Sequence, residues 1–177
     1  LGWEVSTQQT TPDERPLTLN YASVNVLKAL GIWSSLECQA TPLTEVKITQ
    51  QGCWGQANFH HQALSVPYLG YVVRYHDLMQ QLYTRAHQQA NLIPIDQIKS
   101  LSSTESLTTI AFSTQSTSKQ LTAQLVLACD GRDSVCRQLI GIKVKPSGGD
   151  RIARSMVLQL DEPHQGIAHQ RMTKQGC

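Results

Sequence analysis

The stretch Leu125–Ile142, LVLACDGRDSVCRQLIGI, constrains the fold more than any other. An apolar run leads into Asp130-Gly131, a polar turn follows, and a helix-like segment closes at Gly141. Leu125, Val126 and Leu127 do not alternate with polar residues, which predicts a strand covered on both faces. A strand feeding a sharp turn and a helix N-terminus is one way a protein offers backbone N–H groups to an anion. Gly131 is free to take a positive φ and allows close approach to the backbone. Ser134 is a candidate N-cap and Gly141 a candidate C-terminal stop. Arg137 falls in the first helical turn, where the helix dipole disfavours a cation. With Arg132 it suits a nearby phosphate or carboxylate, yet Asp130 and Asp133 are able to neutralise both. A strand–turn–helix whose charges are merely solvated therefore stays open at this level.

The rest of the 177 residues narrows the classes. A net charge of +2 with scattered cations argues against a nucleic-acid surface. No apolar run is long enough to span a bilayer, and no secretory signal or internal repeat is visible. The cysteines at 38, 53, 129, 136 and 177 are odd in number and include no C-x-x-C, which argues for reduced thiols rather than a disulfide framework or zinc site. His60-His61 is the one histidine pair, and adjacent histidines are more often polar surface than ligands. G-x-S-x-G, G-x-x-x-x-G-K-[ST] and G-x-G-x-x-G are all absent. Asp130 and Asp133 belong to a turn rather than to a hydrolytic carboxylate pair.

Periodicity orders the elements. Leu1–Thr7 reads as a short strand and Thr10–Pro16 as a loop. Ala22–Gly31 carries Val26, Leu27 and Leu30 at helical spacing, with Ser23 at its start. Leu43–Thr49 alternates as a half-buried strand, Gln51-Gly52 turns it, and Trp54–Phe59 returns beside it. Tyr68–Arg74 is a strand leading to Asp77, read as the N-cap of a helix that ends near Asn91. Leu107–Gln115 and Gln120–Ala128 are β-like, with Ser116–Lys119 between them. After a Gly-rich loop at Pro146–Asp150, Ser155–Leu160 and Ile167–Met172 are expected to form a hairpin. The class is mixed α/β with an inserted antiparallel sheet.

These residues also resemble a family. Asp130, Gly131, Ser134 and Arg137 match the internal Asp-Gly motif of the flavin-dependent aromatic hydroxylases, where an apolar strand leads to Asp-Gly, then Ser and Arg at three-residue steps. Cys129 stands where that family usually has Gly or Ala. Arg15-Pro16-Leu17-Thr18-Leu19, Ser23 and LKALGIW are similar to the segment after the second Rossmann strand in the ubiquinone-biosynthesis branch. LGYVVRYHDLMQQL, LTEVKIT, GCWG and HQGIAHQRMTKQG follow that branch in order.

The resemblance implies a fragment of an FAD/NAD(P)-binding Rossmann-like α/β fold with an inserted antiparallel substrate sheet. Residues 1–42 and 68–150 would form part of the FAD-binding domain, and 43–67 with 151–177 part of the substrate-binding sheet. It implies a monooxygenase in which FAD, reduced by NAD(P)H, activates dioxygen to hydroxylate a polyprenylated phenol. Arg15, Arg74, Asp130, Gly131, Ser134 and Arg137 would be cofactor-binding, with no protein side chain performing the chemistry and no metal. Arg15 and Arg74 match positions approaching the cofactor, since guanidinium groups clamp phosphate oxygens; the bland reading of Arg74 is a surface partner for a carboxylate. A cytoplasmic setting is implied, with association at the inner membrane face or with a ubiquinone-biosynthesis complex left open. A non-catalytic lipid-binding or protein-interaction module, and a related hydroxylase of a soluble phenol, remain alternatives.

Three features depart from the family pattern. The family's G-x-G-x-x-G strand–turn–helix would precede Leu1, Gln8-Gln9 stand where an acidic ribose-binding residue is expected, and the second Gly-Asp signature would follow Cys177. The chain starts at Leu1 and stops at Cys177 after a strand-like run, and so reads as a piece of something longer. These 177 residues alone are therefore expected to bind FAD weakly and to show no turnover. Fluorescence titration of FAD checks this, and tight stoichiometric binding would contradict it.

Overall fold

The structure, a computed structural model, describes residues 13–145 and 153–176. The expected strand at Leu1–Thr7, Gln8-Gln9, and the loop at Pro146–Asp150 lie outside the described residues. The described residues fall into two compact units, one of residues 13–88 with 153–176 and the other of residues 89–145.

The larger unit begins with β1 (Pro16–Asn20), whose Leu17 and Leu19 turn inward while Pro16, Thr18 and Asn20 face out. Helix α1 (Tyr21–Ala29) follows at once because Asn20 caps it, its Oδ1 accepting the Ser23 N–H at 2.8 Å. Ser23 thus sits inside the first turn rather than capping it. Val24 and Leu27 bury one stripe of the helix. The end is a Schellman motif: Gly31 takes φ +70°, Ile32 N–H donates to the Leu27 carbonyl at 2.9 Å, and Gly31 N–H to that of Lys28 at 2.9 Å. Ile32 is thereby driven into the core, where Trp33 and Leu36 of the short helix α2 (Trp33–Leu36) join it.

Strand β2 (Thr41–Leu43) and strand β5 (Gly70–Arg74) complete a three-stranded antiparallel sheet in the order β1-β5-β2. The register sets Leu17 opposite Val73 and Leu19 opposite Tyr71, so four apolar side chains share one face. That face carries the core, formed by Val24, Leu27, Ile32, Trp33, Leu36, Tyr71, Val73 and Leu78. Trp33 packs edge-on to Tyr71 with ring centroids 4.7 Å apart.

Helix α3 (Tyr75–Gln89) starts three residues earlier than the sequence suggests. Asp77 is inside its first turn and is not the N-cap; the Tyr75 and His76 N–H groups are met instead by the backbone carbonyls of Arg15 and Asp13, at 2.9 and 3.0 Å. Leu78 is the helix's buried residue.

A second sheet in this unit pairs β3 (Glu45–Gln50) with β4 (Gln56–His60) antiparallel and with β9 (Ile167–Met172) parallel. The expected hairpin between Ser155–Leu160 and Ile167–Met172 does not form. Residues 155–160 have no regular structure, Met156, Val157 and Leu158 are exposed, and β9 takes its ladder from β3 instead. Thr44 N–H donates to the Gly166 carbonyl at 2.9 Å, which starts that parallel pairing.

The smaller unit is an antiparallel meander of β6 (Gln97–Ser103), β7 (Thr108–Thr114) and β8 (Thr117–Ala123), followed by helix α4 (Val135–Leu139). The β7–β8 turn is the two-residue Gln115-Ser116, both with positive φ, and not Ser116–Lys119. Leu125–Leu127 is not a strand: Leu125 is 74% and Leu127 66% exposed, and no described strand supplies a ladder partner.

Gly70 tests this packing. It pairs with Asn20, and a Cβ added there would collide with the Leu19 carbonyl oxygen. Gly70→Ala is expected to lower the unfolding free energy by about 2 kcal/mol or more, read from the urea midpoint at unchanged m-value.

Candidate functional site

The Asp-Gly turn is built around its own carboxylate. Asp130 Oδ1 accepts the Ser134 hydroxyl at 2.6 Å, and Oδ2 accepts the Cys136 N–H at 3.0 Å. Ser134 Oγ in turn accepts the Arg137 N–H at 3.0 Å, as an N-cap should. The turn thus supplies its own anion to the first turn of α4, and the N–H groups of Cys136 and Arg137 are already engaged. Gly131 holds φ +85°, with nothing within 4 Å of a Cβ built there, so the turn's outer side is open. Gly141, at φ +76°, ends the helix with a second Schellman pair.

These bonds set the local electrostatics. The Ser134 hydroxyl first, and the Cys136 N–H second, hold the Asp130 carboxyl down at about 2. Burial, and then the neighbouring Asp130 charge, push the Cys136 thiol up, which keeps it protonated and unreactive. No ion pair joins Asp130 or Asp133 to Arg132 or Arg137 among the described residues. Among the described residues Arg137 Nε is buried without a hydrogen-bond partner, an unmet donor of a kind a phosphate oxygen would satisfy.

Behind the turn lies a cavity of about 250 Å³. Ile98, Ile110, Phe112 and Leu121 of the meander face Leu125 and Cys136 across it. The lining is apolar apart from Asn91, which suits hydrocarbon and not the phosphates of a dinucleotide.

In the other unit the fold brings Arg15 and Arg74 to one end of the β1–β5 ladder, where Pro16 pairs with Arg74 and Tyr75 N–H donates to the Arg15 carbonyl. Each guanidinium has its own carboxylate. Arg15 holds Asp13 through Nε at 2.9 Å and Nη2 at 2.7 Å, and lies over the Tyr75 ring at 4.9 Å. This bond lowers the Asp13 carboxyl from its ordinary range and raises Arg15. Arg74 Nε donates to Asp77 at 2.7 Å and Nη2 to Gln39 at 3.4 Å. The pair is exposed, so its donors on the outer side are available to a ligand.

Sequence reasoning missed Asp13, Asp77, Gln39 and Tyr75 as the arginines' partners. Asp13 was within reach of a reading, two residues before Arg15; Gln39 was not, since only the fold brings it near Arg74. Among the described residues Cys38, Cys53 and Cys129 are exposed free thiols, Cys136 is a buried one, and no three His, Cys, Asp or Glu side chains gather for a metal.

The Asp130 bonds make a pH prediction. A depressed carboxyl stabilises the turn fully above its ordinary value of 3.8 and loses that contribution as pH falls through about 2. Carboxyl NMR is expected to show Asp130 titrating near 2, and Ser134→Ala is expected to move it back toward 3.8 while loosening α4 in hydrogen exchange.

The 3-demethoxyubiquinol 3-hydroxylase of Escherichia coli (strain K12) is 29% identical over 138 residues, which cover 75% of this chain and 34% of the relative. The chain thus spans about a third of that relative's length. OxyS anhydrotetracycline hydroxylase from Streptomyces rimosus superimposes with a TM-score of 0.61 at 17% identity, over 76% of this chain and 27% of that one. The p-nitrophenol 4-monooxygenase PnpA from Pseudomonas putida DLL-E4 does so with a TM-score of 0.61 at 15% identity, over 75% and 35%. Likeness at such identities shows a shared α/β fold. The FAD binding domain family matches residues 6–174, so the chain belongs to that family.

Proposed function

We propose that the protein carrying this chain is an FAD- and NAD(P)H-dependent monooxygenase of ubiquinone biosynthesis. It hydroxylates the ring of a polyprenylated phenol, in the manner of a 2-polyprenyl-6-methoxyphenol hydroxylase. The observation that carries the reading is the 138-residue similarity to a 3-demethoxyubiquinol 3-hydroxylase, within a chain of the FAD binding domain family. Residues 1–42 and 68–150 serve the cofactor, and the sheet of β3, β4 and β9, within 43–67 and 151–177, serves the substrate.

The residues present suit FAD. Arg137 offers its unmet Nε to a phosphate oxygen, next to the Asp130-Gly131 turn with its open outer side. Arg15 and Arg74 keep outward donors for the cofactor while Asp13 and Asp77 hold their inner edges. FAD, when bound, supplies electron transfer from NAD(P)H and the activation of dioxygen. The protein's part is binding, orientation and exclusion of water. Asp130 and Ser134 act by holding the turn and α4 in place, because their polar atoms are consumed locally.

The test is turnover by the protein carrying this chain, with FAD, NADH or NADPH, oxygen, and methoxyphenols with and without a prenyl tail. A ring-hydroxylated product is expected, with kcat/KM favouring the prenylated phenol by on the order of tenfold or more. Arg137→Gln is expected to weaken FAD binding by roughly tenfold, the loss of one charge-assisted hydrogen bond. Equal or better use of the unprenylated phenol would assign the protein to the soluble-phenol hydroxylases. NAD(P)H consumption with no hydroxylated product from either phenol would remove the hydroxylase reading.

A further inference from the structure

The turn joining β3 to β4 presents a bare indole. Trp54 is 105% exposed, more than any other large apolar side chain among the described residues. Water is a poor solvent for an indole, and Trp is the side chain best suited to a boundary between apolar and wet surroundings. The backbone beneath it is held. Gln51 N–H donates to the Met172 carbonyl at 2.9 Å, Cys53 N–H to that of Gln50 at 3.3 Å, and Gly52 and Gly55 take φ +79° and +96°. Trp54 is therefore carried on the tip of a paired hairpin.

What lies beside the tip selects its partner. Because β9 runs parallel to β3, its C-terminal end arrives at this same turn, with Arg171 opposite Thr49 and Met172 opposite Gln50. The chain then folds into a tight turn in which Thr173 N–H donates to the Gly176 carbonyl at 2.7 Å, leaving Lys174 exposed. Met172 is 44% exposed. Neither Arg171 nor Lys174 has a carboxylate partner among the described residues. Residues 46–60 and 163–176 contain no Asp or Glu at all. Among the described residues, one end of this sheet thus shows an indole, a thioether and two cations without a carboxylate partner.

We propose that this end of the β3–β4–β9 sheet docks on an anionic phospholipid bilayer, with Trp54 entering the headgroup–acyl boundary and Arg171 and Lys174 meeting lipid phosphates. Indole burial and attraction to the charged surface combine there, as in other shallow membrane anchors. Each cation near an anionic surface strengthens binding by roughly fivefold, and salt screens that part. The contact is peripheral: no described helix is long and apolar enough to cross a membrane.

Flotation of the protein carrying this chain with phosphatidylcholine vesicles, and with phosphatidylcholine–phosphatidylglycerol vesicles, tests it without any need for turnover. Failure of the hydroxylase reading therefore leaves this result standing, and the reverse. Wild-type protein is expected to float with the anionic vesicles and to be released by salt. Trp54→Ala should reduce that binding on the order of tenfold, and Arg171→Gln with Lys174→Gln should reduce its salt sensitivity. Brominated lipid should quench a tryptophan signal that Trp54→Phe removes. Circular dichroism of each variant should match wild type, since none of these side chains is buried. Equal flotation of wild type and folded Trp54→Ala would overturn the proposal, as would no flotation of wild type with anionic vesicles. Shielding of Trp54 from acrylamide by a soluble protein partner, with no vesicle binding, would assign the tip to a protein instead.

Discussion

The pairing of β1 with β5 is the constraint on which the larger unit depends. It joins residues fifty or more positions apart, and the cost of closing that loop is met by the apolar face the ladder creates. With Leu17 against Val73 and Leu19 against Tyr71, the helices α1, α2 and α3 gain one surface on which to bury Val24, Leu27, Trp33, Leu36 and Leu78. The same ladder sets Arg15 beside Arg74 and makes Arg15 and Asp13 the backbone partners of the first α3 amides. Position at the candidate site is therefore a by-product of core register. A slip by one residue would turn Leu17 and Leu19 outward and separate the arginines at the same time.

The Asp130 turn solves a different problem. Helix α4 has five residues, too short to persist on propensity alone, and its first amides need acceptors. Asp130 and Ser134 supply them from within six residues, and Gly141 closes the other end. A turn stabilised in this way does not need a bound anion to hold its shape. A cofactor bound as proposed would find Gly131's open side and the Arg137 guanidinium already in place, which would lower the ordering cost of binding.

How much of this was legible in the sequence depends on whether the signal was local. Helix α1, the β3–β4 pair and the caps at Ser134 and Gly141 were readable because period, cap and stop residue agree. Strand β6 was missed because Ile98 and Leu101 are three residues apart, an odd spacing for a strand. A bulge between Ile98 and Ser100 returns both to one face, opposite Phe112 and Ile110. The β7–β8 turn was misplaced because Gln115-Ser116 adopts positive φ without the Asn or Gly that usually announces it. Leu125–Leu127 and Ser155–Leu160 were read as strands from apolar runs. Composition signals a wish to be buried, while a strand also needs a neighbour to pair with, and that neighbour is not a local property.

The candidate cofactor residues follow the same division, and it ranks them. The Asp-Gly motif was local and its bonds close within seven residues. The partners of Arg15 and Arg74 were partly non-local, and they matter for what those side chains are able to do. Asp13 and Asp77 neutralise both guanidiniums in water-exposed positions, where such pairs contribute little and exchange readily. Among the described residues Arg137 has no such carboxylate, and it carries a buried, unmet donor. An incoming phosphate must compete with Asp13 and Asp77 at the first two sites, whereas at Arg137 it would satisfy a group that already bears the cost of leaving water. Of the three arginines, Arg137 therefore has the most to gain from a phosphate; its spacing from the Asp-Gly pair marked it in the sequence, while the buried donor that ranks it first is visible only in the fold.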